Sequence, residues 1–288
     1  MLFRSYNKPE AVIVLGEDNM EIITSVNNQR VKDVANLKQK KYRTETGAFF
    51  AEGLRAVIEA VQFADLSELF FIKTEENKLT EIIKTAEEKG VRLYCVDEKV
   101  MAKLSDTKAP QGVLAVIKMP KDRLQKLNPG TSSDNNAPVI ILDRVQDPGN
   151  LGTIIRTADA VGALGMILLE GCVDAFSPKV VRASMGSLFH LPVIQDVFPE
   201  EALTWCYRHG YEPAATALKN AQNMYKADLS KKMAFIFGNE ANGVAEELQA
   251  AAETRLFIPM AGQAESMNVA MAAGIVLFEG LRQRKFFR

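Results

Sequence analysis

I-P-M-A-G-Q-A-E-S-M-N-V-A-M-A-A-G-I-V-L-F-E-G, residues 258–280, begins as the end of an apolar strand (Leu256, Phe257, Ile258) and breaks at Pro259. A loop of small polar residues follows, and then a helix in which Asn268 is the only polar side chain between Met267 and Phe278. On a 100° wheel the apolar residues run almost all the way round, which predicts a helix buried on several sides. About a dozen apolar residues fall short of the roughly 20 that span a bilayer. The helix therefore belongs to a protein interior, with Glu265, Ser266 and Asn268 at its entrance. Such groups either cap the helix or bind something.

Working back from this end, apolar runs alternate with helical patterns. Strands are expected at residues 139–142, 166–169, 192–194, 213–217, 233–237 and 256–258. Helices are expected from Asn150, over 178–185 and over 199–208. The runs Val139-Ile140-Ile141-Leu142 and Met233-Ala234-Phe235-Ile236-Phe237 have no polar face. They suit strands covered on both sides, hence a mainly parallel sheet with ligand loops at its carboxyl edge.

Residues 119–137 hold Asn128-Pro129-Gly130 and Thr131-Ser132-Ser133-Asp134-Asn135-Asn136, a linker composition. Before it, residues 20–118 alternate again. Strands are predicted at 48–51, 69–72, 91–96 and 113–117, and helices at 26–37, 54–63, 79–89 and 99–104. That reads as a smaller α/β domain. The chain divides into 20–118, the linker 119–137, and 138–288. Residues 1–19 have no pattern and are expected to be an extension, or to precede a later start.

Among 288 residues, 47% are apolar and 25% charged, the composition of an ordinary soluble protein. Net charge is −1, so no global field points to a polyanion. Local charge says more: Arg30, Lys32, Lys38, Lys40, Lys41 and Arg43 face the single acid Asp33, either as a solvated helix face or as a phosphate-contacting edge. Cys95, Cys172 and Cys206 are far apart, and with two histidines no metal spacing arises, so no metal is expected. The start Met-Leu-Phe-Arg-Ser-Tyr lacks a signal-peptide core, and a cytoplasmic location is expected.

Three loops follow three apolar strands: D-R-V-Q-D-P-G-N at 143–150, F-G-N-E-A-N-G-V at 237–244, and the loop after Ile258. Asn150 is an N-cap candidate. Arg156 lies on the far side of its helix, beside Thr153 and Ala160, and could pair with Asp159 at i+3. Its small-residue surroundings would admit another helix or subunit. Each loop alone is more often structural than functional. Together, D-P-G-N-L-G-x-x-x-R, G-N-E-x-x-G and I-P-M-x-x-x-x-E-S-M-N-V form a specific set.

That set resembles the SpoU/TrmH branch of the SPOUT RNA methyltransferases over residues 146–162, 235–244 and 256–273, with F-F-A-E-G-L-R-A-V-I-E-A at 49–60 resembling the family's RNA-binding domain. The resemblance implies a C-terminal domain threaded into a trefoil knot, an exception to the rule against knots. It also implies transfer of a methyl group from S-adenosylmethionine to a ribose 2′-hydroxyl, and a homodimer with its active site near the subunit interface. By position, Asn150, Arg156, Glu240, Ser266 and Asn268 take the polar active-site roles. Gly238, Asn239, Ile258, Met260 and Met267, with Thr216 and Ala217, take the cofactor side. Ala241 stands where many members have glycine and so requires a negative φ; Met267 replaces a frequent leucine. The separate first domain, with Arg30, Lys38, Lys40, Lys41 and Arg43 as its RNA contacts, makes rRNA the expected target rather than tRNA. Two other readings remain: an RNA-binding protein without chemistry, and a nucleotide-binding α/β enzyme. The latter lacks a P-loop lysine motif and a G-x-G-x-x-G after the first strand.

Overall fold

The computed structural model describes residues 20–120 and 124–285; the expected extension at 1–19 lies outside them. The first half is a five-stranded sheet. Its strands are β1 (Met20–Ile23), β2 (Ala48–Glu52), β3 (Leu66–Ile72), β4 (Arg92–Val96) and β5 (Val113–Lys118), in the order β1-β4-β3-β5-β2. β1, β4 and β3 run parallel, and β5 is antiparallel to both β3 and β2. Five helices pack on it: α1 (Gln29–Asn36), α2 (Lys40–Thr46), α3 (Leu54–Phe63), α4 (Glu76–Glu88) and α5 (Glu98–Leu104). β1 was not expected from the sequence, and the helix expected over 26–37 begins only where Asn28 caps it, accepting from Arg30 N at 2.8 Å.

The second half is a seven-stranded sheet in which every pairing is parallel. Its strands are β6 (Val139–Leu142), β7 (Gly165–Leu169), β8 (Val193–Val197), β9 (Glu212–Thr216), β10 (Gln222–Asn223), β11 (Met233–Phe237) and β12 (Thr254–Phe257), ordered β10-β12-β9-β11-β6-β7-β8. The helices are α6 (Pro148–Ala160), α7 (Pro178–Ala183), α8 (Pro199–His209), α9 (Glu246–Ala251) and α10 (Val269–Lys285). Every residue of β6, β7 and β11 is buried, as their unbroken apolar runs require. Alternate side chains serve opposite faces. Ile140, Leu142, Phe235 and Phe237 pack with Val276 and Leu277 of α10, whereas Val139, Ile141, Ala234 and Ile236 pack with Trp205 of α8 and Leu248 of α9.

α10 is buried on several sides, at Val269, Ala270, Ala273, Val276, Leu277 and Gly280, and bare on one helical stripe, where Met271 and Phe278 are 62% and 51% exposed. The described part of the linker packs onto the second half, with Leu127 and Ala137 buried, Asp134 within ion-pair reach of Arg284, and Asn136 Nδ2 donating to Ser230 O at 2.9 Å. The two halves also share one apolar core, in which Phe49 of β2 meets Phe176 and Phe189 at centroid distances of 4.9 and 6.3 Å. Among the described residues, no helix is long and apolar enough to cross a membrane.

Candidate active site

Parallel pairing puts the carboxyl ends of β6 and β11 side by side, with Leu142 opposite Phe237. The loops that leave them therefore start in contact. Asp143 N donates to Phe237 O at 2.9 Å, and the buried Asp143 carboxylate accepts from Ala245 N at 2.8 Å and from Arg144 Nε at 2.7 Å. Asn239 Nδ2 donates to Arg144 O at 2.9 Å, closing the clamp from the other side. A Cβ on Gly238 would sit 2.0 Å from Gly243 C and Val244 N, so only glycine fits the turn. The positive φ of this loop falls at Gly243 (66°), and Ala241 is not among the positive-φ residues, which is what an alanine there requires.

Glu240 ties the loops together. Its Oε1 accepts from Asn150 Nδ2 at 3.0 Å and from Asp147 N at 3.2 Å, while Oε2 accepts from Gln146 N at 3.4 Å. Burial pushes this carboxyl up, but those donors, Asn150 foremost, outweigh it and hold Glu240 below the ordinary carboxylate range. Asn150 then accepts from Asn268 Nδ2 at 2.9 Å through its own Oδ1. Asn268 Oδ1 accepts from Ala270 N at 2.9 Å and Met271 N at 3.3 Å, capping α10. Such a cap is worth about 1 kcal/mol. Capping and site-building are thus done by two ends of one amide.

Asn150 is not the cap of α6. Asp147 takes that place, accepting from Asn150 N at 2.8 Å, because Pro148 at the first helical position lacks an N–H that would have gone unused. The exchange frees the Asn150 side chain for Glu240 and Asn268. Asp159 does not pair with Arg156 either; it is taken by His190 at 2.8 Å.

Beside this network a cleft of about 800 Å3 opens at the carboxyl edge of β9, β11 and β12. That is within the roughly 300–1,000 Å3 of small-molecule sites. Thr216, Ala217, Gly238, Asn239, Glu240, Ile258, Met260, Ser266, Met267 and Asn268 all line it. Leu218, 72% exposed, and Asn220, at φ 51°, line it too. Neither was singled out from the sequence, although a loop leaving a strand at this edge was the available signal. Apolar side chains such as Ile258, Met260 and Met267 and the backbone of a glycine that admits no Cβ suit an adenosyl group, and Lys219, Glu240, Glu246, Arg255 and Glu265 bring charge to the same lining. Arg156 does not line the cleft of its own chain; it stands on the exposed side of α6.

The basic run does not form one edge. Arg30 Nε donates to the buried Glu68 at 2.6 Å, Lys38 Nζ donates to Lys103 O at 2.9 Å, and Arg43 is 3% exposed with its Nε on Asp174 at 3.1 Å. Burial and a carboxylate partner remove Arg43 from any phosphate-contacting surface. Lys40 and Lys41 remain exposed, each within only loose reach of an acid at 3.7 and 3.9 Å.

Residues 137–278 match the SpoU rRNA Methylase family, and residues 28–115 match the MRM3-like substrate binding domain. The chain is 36% identical to the 23S rRNA (guanosine(2553)-2'-O)-methyltransferase RlmP of Bacillus subtilis, over 90% of this chain and 98% of that one. It is 30% identical to the 23S rRNA (uridine(2479)-2'-O)-methyltransferase of Streptomyces viridochromogenes, over 91% and 94%. The crystal structure of an AdoMet-bound rRNA methyltransferase from Sinorhizobium meliloti superposes with a TM-score of 0.83 at 36% identity, covering 93% of this chain and 99% of that one. With three loops meeting at one cleft and likeness along nearly its whole length, the chain belongs to the SpoU family of RNA 2′-O-methyltransferases.

Proposed function

We propose that this chain methylates a ribose 2′-hydroxyl of rRNA at the cleft between residues 216–220, 238–244 and 258–268. The observation that carries this reading is the Glu240–Asn150–Asn268 chain of hydrogen bonds, which joins three distant loops beside the cleft. S-adenosylmethionine supplies a methyl group on an already activated sulfonium leaving group. The protein's task is therefore alignment of the attacking oxygen with that carbon and removal of one proton. Gly238, Ile258 and Met267 hold the cofactor through backbone and apolar contact, with Thr216, Ala217, Asn239 and Met260 completing the wall. Glu240 is a positioning group: its donors already engage both oxygens and favour its charged form.

Arg156 binds the phosphate of the target nucleotide, for which a planar fork of donors is suited. Because it lies outside its own cleft, we assign it to the cleft of a second copy. The exposed Met271 and Phe278 supply an apolar stripe for that homodimer. Ser266, exposed on the cleft rim, faces the arriving ribose. Lys40 and Lys41 remain as RNA contacts of the first half. Likeness to bacterial rRNA methyltransferases supports a cytoplasmic location.

The decisive experiment incubates the purified chain with methyl-tritiated cofactor and total rRNA, followed by nucleoside analysis. Label in 2′-O-methylnucleosides is expected. Label confined to bases, or to tRNA added in parallel, would overturn the reading.

A further inference from the structure

Beside their shared apolar core the two halves meet on charged groups, of which Arg43, Asp174 and Glu52 are nearly out of the reach of water. The Arg43 side chain of α2 is 4% exposed and its partner Asp174 9%. Arg43 Nη1 also donates to Leu37 O at 2.7 Å. From α7, Arg182 Nη1 donates to Glu52 Oε1 at 2.8 Å, and its Nη2 lies 3.5 Å from Asp106. Glu52, 8% exposed, ends β2 and also accepts from Ser105 Oγ and Asp106 N. His190 stands between Asp159 of α6 at 2.8 Å and Glu59 of α3 at 3.1 Å. Next to it, a Cβ on Gly186 would lie 2.5 Å from Glu59 Cγ, so the halves approach as closely as glycine permits.

Apolar contact such as that of Phe49 with Phe176 and Phe189 holds two domains together but is not directional, and domains with a mixed interface ordinarily shift relative to one another. A buried ion pair adds little net stability, yet breaking it strands a charge in a poorly solvated place, and this penalises every other register. Here the three cross-links share no residue and come from different elements of each half. A slide in any direction would strand Arg43, Asp174 and Glu52 together.

We propose that Arg43, Arg182 and His190 are specificity-determining residues for the methyl transfer. They hold the substrate-binding domain in one register over α6 and α7. The methylated ribose is then selected by its fixed distance from the RNA segment that the first half holds. The proposal rests on the rRNA reading above. None of the three residues lines the cofactor cleft, so their effect falls on which nucleotide arrives and not on the cofactor.

The test uses the full chain and total rRNA from cells lacking its gene, with 2′-O-methyl positions mapped by sequencing. Arg182→Gln and Arg43→Gln should keep cofactor affinity within about twofold. The ratio of the main site to secondary sites should fall about tenfold or more, the scale on which small misplacements act. Arg182→Lys, which retains the charge toward Glu52, should keep most of the selectivity. Folded variants that methylate the wild-type position alone, at the wild-type rate, would overturn the proposal. Arg182, 39% exposed, carries the test should Arg43→Gln not fold. A wild-type chain that methylates no ribose would overturn the functional reading, and this proposal with it, before any variant is compared.

Discussion

The Asn150 side chain is held at both ends: its amide nitrogen donates to Glu240 at 3.0 Å and its oxygen accepts from Asn268 at 2.9 Å. Asn150→Asp would remove the donor and set a second carboxylate against Glu240. Single-turnover methylation should fall about a hundredfold, the cost of roughly 1 Å of misplacement, while the fold survives. Unchanged turnover would show that the three loops hold their places without this link.

Gly238→Ala sets a Cβ against backbone atoms that cannot swing away. Overpacking of this kind costs about 1–3 kcal/mol. Calorimetric titration should show cofactor binding lost or greatly weakened, and the thermal midpoint should fall. Wild-type affinity would remove Gly238 from the cofactor floor.

Arg156→Ala should abolish methyl transfer and leave cofactor binding intact, because Arg156 lies outside the cleft of its own chain. Mixing this variant with an inactive Gly238→Ala chain tests the placement directly. If Arg156 serves the partner's cleft, mixed dimers regain activity in one of their two sites. No recovery in confirmed mixed dimers would confine Arg156 to its own subunit.

Phe278→Asp should shift the chain toward monomer in sedimentation, by a factor of about 30 or more in dissociation constant if Phe278 is a central contact. A wild-type chain that sediments as a monomer would remove the homodimer from the functional reading.

His190 gives stability a pH dependence of fixed sign. Burial pushes the imidazole down, but the hydrogen bonds to Asp159 and Glu59 raise it further, so the folded value lies above the ordinary one of about 6.5. Two acceptors on two ring nitrogens need both N–H groups, which only the charged ring has. The contribution is present in full below pH about 6.5 and lost as pH rises through the folded value. The thermal-midpoint gap between wild type and His190→Gln should therefore narrow from pH 6 toward pH 9. A constant gap would mean that the ring does not titrate at this contact.

The sequence by itself determined the alternation of elements and the parallel character of the second sheet, and the cleft residues were named through the resemblance of three motifs to a known family. Runs such as Val139–Leu142 and Met233–Phe237 are apolar at every position, and only strands covered on both faces satisfy them. The loops at their ends were expected at one edge, and the resemblance implied that Gly238, Glu240, Met267 and Asn268 are neighbours there, lining the cleft together as they do. Tertiary structure decided what local pattern could not. Pro148 makes Asp147 the cap of α6, but the partner of the Asn150 side chain so freed is Glu240, 90 residues away. Arg30 and Arg43 look like surface charge in sequence, but their carboxylate partners lie 38 and 131 residues on. An all-apolar helix cannot declare which stripe its own chain leaves bare, and packing alone exposed Met271 and Phe278. Periodicity reports only the face a segment must bury; the partner of a charge is set by long-range contact.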